Sequence, residues 1–260
     1  VKKRKIGVMI ESFRLDTKGG IRKAAEVGAD GFQVVCTVPE RPVSAEMSQS
    51  ARREFRDFAA QQNLRISALC ADFGCGFLDP ARNDELVAKS KKCVDLAVDL
   101  GTDVITTHIG TIPDDEQNPK WRIGLEALSD LSEYAASKGV SLACETGPES
   151  IPVLKRFLDR IPTAAIGVNY DPANLVMGGF EHLDGVGIVG NYIFHTHAKD
   201  GVRVDGQPKE VPLGEGAVDF PEWLKRLDAI GYDGFLTIER EVGLDPVGDI
   251  TKAVQFLRTL

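Results

Sequence analysis

The chain has 260 residues, 43% hydrophobic and 27% charged, with a net charge of −8 and a pI near 5.1. That balance excludes a disordered or fibrous chain, and so acidic a protein is a poor match for nucleic-acid phosphates. No apolar stretch approaches the roughly 20 residues of a membrane span and no apolar leader opens the sequence, so neither a signal peptide nor a membrane partner is expected.

A basic lead-in, Lys2 to Lys5, is expected to be a solvated approach to the first strand. IGVMI (6–10) reads as that strand, followed by an amphipathic helix from Thr17 to Val27. FQVV (32–35) precedes a helix over 48–61, and RISAL (65–69) precedes one from Asp84, as N-cap, to Leu100, stopped by Gly101. DVITTH (103–108) leads to a helix over 119–138 ended by Gly139, and SLACE (141–145) to a helix over 151–158. AIGVNYD (165–171) is followed by a short helix over 180–186, YIFHTH (192–197) by a helix over 220–229, and FLTIE (235–239) by a helix over 246–257. The phrases VGADGF, LGTDVI, KGVSLA and IGYDGF mark helix ends passing into strands, with Gly supplying the left-handed residue that stops the helix.

Eight strand–helix units in a chain of this length predict a parallel (β/α)8 TIM barrel, a single domain over residues 1–260. The alternative, an open doubly wound sheet, is disfavoured because no G-x-G-x-x-G follows the first strand. Five cysteines (Cys36, Cys70, Cys75, Cys93 and Cys144) are odd in number, scattered and without a C-x-x-C pair, which predicts free thiols and a cytoplasmic location.

In such a barrel the active site lies at the C-terminal ends of the strands. Glu145, Asp171, His197 and Glu239 each end an apolar run, at spacings of 26, 26 and 42 residues that only the fold can bring together. Buried carboxylates and an imidazole need a partner, and a divalent metal is the usual one. Three oxygen donors and one nitrogen suit Mn²⁺ first, with Mg²⁺, Co²⁺ or Zn²⁺ as alternatives. Four protein ligands leave positions for the adjacent oxygens of a hydroxy-ketone, whose enediolate the metal would stabilise while carboxylates move the proton. Glu11, Cys70, Asp72 and His108 fall at the same end of their strands.

The segments VSLACETGP, IGVNYDPANL, FHTHAKDG, VPLGEGAVDFPEWLKRL and GYDGFLTIERE resemble the xylose isomerase-like TIM barrel superfamily, in its branch of sugar isomerases and epimerases. The resemblance covers nearly the whole chain and is strongest from Glu145 onward. It implies a barrel with one divalent ion held by Glu145, Asp171, His197 and Glu239, with Glu145 and Glu239 as the acid–base pair. It further implies a metal-dependent sugar isomerase or epimerase, with a lyase or inosose-type dehydratase on the same site as the alternative. Where the ketose 3-epimerases have a substrate-binding His, three residues after the metal-binding Asp, this chain has Asn174, which can hydrogen-bond a hydroxyl but cannot carry charge. Arg203 matches their Arg six residues after the metal-binding His.

Lys199 in HAKD, His108 in TTHIG, Glu11 in IESF and Trp121 complete the substrate-binding candidates, Trp121 as a cap on a sugar ring. The polar segment from Ala198 to Asp219, with four Gly and two Pro, reads as a loop able to close over the site. A small carbohydrate is the expected partner, with no nucleic acid or membrane, and similar proteins are commonly homodimers or homotetramers. A DNA-repair nuclease on this fold needs several metals and extra histidines, whereas this chain has four His in all. A non-catalytic sugar-binding barrel would hold no metal.

Overall fold

The computed structural model describes residues 3–260. In chain order its elements are β1 (Lys5–Met9), α1 (Thr17–Glu26), β2 (Gly31–Val35), α2 (Gln49–Gln61), β3 (Arg65–Cys70), α3 (Pro80–Leu100), β4 (Val104–Thr107), α4 (Pro119–Ser137), β5 (Ser141–Glu145), α5 (Ile151–Leu158) and β6 (Ile166–Tyr170). There follow α6 (Pro172–Gly178), α7 (Asp184–Ile188), β7 (Ile193–Ala198), β8 (Asp200–Val204), β9 (Gln207–Val211), α8 (Phe220–Ala229), β10 (Phe235–Ile238) and α9 (Pro246–Thr259).

Eight strands pair in parallel and close in the order β1-β10-β7-β6-β5-β4-β3-β2. The closed ring confirms the predicted barrel over the open sheet. Strand side chains such as Ile6, Val8, Phe32, Leu69, Ile105, Leu142, Ile166, Val168 and Leu236 are fully or almost fully buried under the helices, which bury Ile21, Phe55, Leu96, Leu131, Phe157, Trp223 and Leu257 against them. Each such side chain contributes on the order of 2 kcal/mol by leaving water. All five cysteines are free thiols. No helix among the described residues is long and apolar enough to cross a membrane.

Four expectations are corrected by the structure. The third helix begins at Pro80, not Asp84: Asp79 caps it by accepting from the N–H of Ala81, and Pro80 occupies the first turn, where a missing N–H costs nothing. The segment after β6 turns at once into α6, with α7 near the expected position. The long polar segment after β7 is the antiparallel hairpin β8–β9 rather than a structureless loop. The lead-in is also more tied than a solvated tail. Lys2 lies outside the described residues, but Arg4 makes two 2.9 Å bonds to Asp228, and Lys5 opens β1 and reaches Asp233.

Candidate metal centre

The local sequence at each strand end aims one donor at a common point. Glu145 is the last residue of β5 and Asp171 follows β6. Thr146 locks the two ends together: its hydroxyl donates to the Asp171 carbonyl and accepts from the Asp171 N–H, both at 2.9 Å. Asp171 divides its carboxylate between two tasks. Oδ1 caps α6 by accepting from the N–H of Asn174 at 3.0 Å, while Oδ2 is buried with no hydrogen-bond partner. Gly147 has φ of +140° and a Cβ there would lie 2.7 Å from that of Asn174, so only glycine lets β5 and α6 approach this closely.

His197 near the end of β7 and Glu239 just after β10 complete the set. One donor atom from each of Glu145, Asp171, His197 and Glu239 lies within 4.8 Å of the others. Nδ1 of His197 is 3.4 Å from Glu145 Oε1, 3.3 Å from Glu239 Oε2 and 3.9 Å from Asp171 Oδ2. Three carboxylates share this buried space with the single ammonium of Lys199, which is 3.0 Å from Glu239, 4.0 Å from Asp171 and also bonded to Glu241.

The electrostatics follow from crowding. Burial and the neighbouring Glu145 and Glu239 push the Asp171 carboxyl up to about 7, against the opposing pull of Lys199 and His197. Burial also works against ionisation of Glu145 and Glu239, yet His197 holds both below the usual carboxylate range, helped at Glu239 by Lys199. Burial opposes charge on His197 and Lys199 too, but the surrounding carboxylates raise both well above their ordinary values. The residues fit a divalent cation: an orphaned Asp171 oxygen faces a set of three carboxylates and one imidazole, the hard-oxygen-rich donors such an ion prefers.

Around this centre lie some of the substrate-binding candidates. Asn174 donates to Glu145 Oε1 at 2.9 Å. His108 has Nδ1 3.0 Å from Asp72 Oδ2 and Nε2 3.8 Å from Glu145 Oε1, and the Asp72 bond, opposed by burial, raises it to about 9. Its ring is half exposed, so it lies on the open side of the cluster. Other candidates are engaged elsewhere. Glu11 accepts from the N–H of Val35 and pairs with Arg41. Arg203 donates to the carbonyls of Met177 and Gly206, stapling the hairpin to α6. Trp121 does not reach the mouth: it is 3% exposed, donates to the Pro113 carbonyl and packs edge-on against Phe157.

Beneath the cluster is a layer of polar side chains, each at most 1% exposed: Gln33 on β2, Thr106 on β4, Asn169 on β6 and Thr237 on β10, which the sequence reading passed over, together with His195 on β7. A polar residue interrupting an otherwise apolar buried run, as in FQVV and IGVNY, was the available signal. His195 stands two residues before His197, on the same face of β7, and belongs to this layer: its Nδ1 lies 2.9 Å from Asn169 Oδ1 and its Nε2 2.9 Å from Thr237 Oγ1. Glu149, buried in the loop after β5, was also missed.

A profile of the family described as xylose isomerase-like TIM barrel matches residues 21–260. The chain is 26% identical over 254 residues to an L-ribulose-5-phosphate 3-epimerase of Salmonella heidelberg, covering 90% of this chain and 86% of that one. It is 24% identical over 253 residues to an inosose dehydratase of Geobacillus thermodenitrificans, covering 83% and 84%. The crystal structure of a xylose isomerase domain protein from Planctomyces limnophilus superposes with a TM-score of 0.85 at 24% identity, covering 98% and 96%.

Proposed function

The chain belongs to the xylose isomerase-like TIM barrel family, and from that premise we propose that it is a divalent-metal-dependent isomerase or epimerase of a small sugar with a hydroxyl beside its carbonyl. The observation that carries the proposal is the cluster of Glu145, Asp171, His197 and Glu239 with Asp171 Oδ2 unpartnered. These four residues would hold the ion, with Mn²⁺ the first choice. A bound divalent ion supplies the positive charge that stabilises the oxyanion formed when a carbon next to a carbonyl loses its proton.

The protein's own groups do the rest. Glu145 and Glu239 are the carboxylates that take a proton from substrate carbon and return one. Their settings differ: amides of Asn169 and Asn174 hold Glu145, whereas Lys199 holds Glu239. His108, on the open side, donates to a substrate oxygen. Asn174 beside Glu145 meets a hydroxyl without adding charge.

A second reading is a dehydratase or related lyase on a keto-sugar or inosose. It is favoured by the uncharged Asn174 and by the similarity to an inosose dehydratase. Both readings begin with the same proton removal. Incubating the Mn²⁺-loaded protein with ketoses and inososes in deuterated water separates them. Deuterium incorporation with the carbon skeleton and hydroxyls intact is expected, and an enone product would select the lyase. Glu145→Gln and Glu239→Gln should each lower exchange by about 10³-fold or more with circular dichroism unchanged. Full exchange in either variant would remove it from the acid–base pair.

A further inference from the structure

Nδ1 of His197 faces the carboxylate cluster, and the opposite nitrogen, Nε2, points into the barrel. A ring nitrogen that binds a cation must be bare, so the proton of a neutral imidazole has to sit on the other one. His197 is 1% exposed, and an Nε2–H buried to that degree needs an acceptor.

Two side-chain atoms of the described residues are within hydrogen-bond distance of Nε2: Oε1 of Gln33 at 2.9 Å and Nδ2 of Asn169 at 3.3 Å. Asn169 cannot accept there. Its Nδ2 is committed as a donor, because it also meets the carboxylate Glu145 Oε2 at 3.2 Å and a carboxylate only accepts. Its Oδ1 then faces Nδ1 of His195, which must carry the proton. Nε2 of His195 in turn meets the Thr237 hydroxyl at 2.9 Å. The donors therefore run one way, from His195 through Asn169 towards Glu145, and offer no acceptor to Nε2 of His197. The amide of Gln33 is the one acceptor left, and its own Nε2 is used up in a 2.8 Å bond to Thr106 Oγ1.

We infer that Gln33, on a strand that carries none of the candidate metal ligands, is a positioning residue: its amide oxygen keeps the proton of His197 on Nε2 and thereby presents Nδ1 to the cation. The inference rests on reading the four-residue cluster as a metal site. Partners that fix the tautomer and ring of a metal-binding histidine commonly govern affinity by about 10–100-fold.

The test is isothermal titration of Mn²⁺ into wild type, Gln33→Leu and Gln33→Glu, each checked for a wild-type circular dichroism spectrum. Gln33→Leu removes the acceptor at similar volume and should weaken binding by about 10–100-fold. Gln33→Glu keeps an acceptor at the same place and should bind within about threefold of wild type or tighter. A purely packing role would not distinguish the two variants in this direction. In protein labelled with ¹⁵N-histidine and loaded with diamagnetic Mg²⁺, long-range proton–nitrogen correlations should place the His197 proton on Nε2. If wild type binds Mn²⁺ and Gln33→Leu binds it equally well, or if the proton is found on Nδ1, the role of Gln33 is overturned while the metal site stands. If wild type binds neither ion, the metal site itself falls and takes this inference with it. Should Gln33→Leu fail to fold, Gln33→Glu and the nitrogen assignment in wild type still decide the question.

Discussion

Glu149 lies four residues beyond Glu145 and is 5% exposed. Its Oε2 accepts from the N–H of Ile112 at 3.0 Å, tying the loop after β5 to the loop after β4, while Oε1 is buried without a partner. Burial pushes this carboxyl up to about 7 from an ordinary 4.5, against the pull of the Ile112 N–H and of His108. The folded form therefore binds the proton more tightly than the unfolded one. Stability from this residue is complete below pH 4.5 and is lost as pH rises through 7. Relative to Glu149→Gln, which stays neutral, wild type should lose about 3 kcal/mol of unfolding free energy between those limits. Urea melts of both proteins at pH 5 and 8 measure the difference, and parallel curves would show that Glu149 ionises as freely in the fold as in water. Asp171 also keeps a buried carboxylate oxygen without a partner, and on the proposed reading that partner is a cation rather than a proton.

At the scale of elements, one side chain gathers the hairpin β8–β9 and the segment that follows it. The Asp200 carboxylate is 1% exposed and accepts from the backbone N–H groups of Gly201, Gly214, Gly216 and Val218, at 2.8 to 3.1 Å. It closes the return from β9 to α8 much as a cap closes a helix. The other side of the hairpin is tied through Glu210, which pairs with the buried Arg240, itself bound to Asp249 on α9. Asp200→Ala leaves those four N–H groups, two of them on the buried residues Gly201 and Val218, without their acceptor and should cost about 3 kcal/mol or more. Limited proteolysis should then cut within residues 204–218 at a protease dose that leaves wild type whole. An unchanged digestion pattern would mean that the strand pairing alone holds the hairpin. The α6 helix makes the complementary point: Asp-Pro is a readable N-cap and first-turn pair, and here the cap residue is also a candidate metal ligand, so helix initiation and ligand aim are set by one side chain.

The whole molecule is a ring, and its seam is sealed at both ends of the chain. β1 pairs with β10, Arg4 holds Asp228, and Arg258 bonds Asp30 and the carbonyls of Arg4 and Gly28. Closure gathers four strand ends and their charge in one place, so a cation that binds only the folded ring should stabilise all of it. At a Mn²⁺ concentration about 100 times the dissociation constant, the gain is about 2.7 kcal/mol, or roughly 5–10 °C in melting temperature for a chain of this size. Thermal melts with Mn²⁺ and with a chelator should differ by that amount in wild type and scarcely in Asp171→Asn; equal shifts in both would place the ion elsewhere. The repeat of strand and helix was legible because burial dictates it residue by residue: apolar runs occur eight times, four of them entered through a Gly that stops the preceding helix, and the candidate metal donors end four of the eight. The helix starts at Asp79-Pro80 and Asp171-Pro172, and a hairpin written in polar residues, were passed over by a reading built on apolar runs, because neither depends on an apolar pattern. What tertiary structure alone decided is which side chains meet across the barrel. Gln33 and His197 are 164 positions apart, and nothing local to either residue encodes their contact. It follows only from ring closure and strand register, which bring a polar atom on one wall within 3 Å of its partner on another.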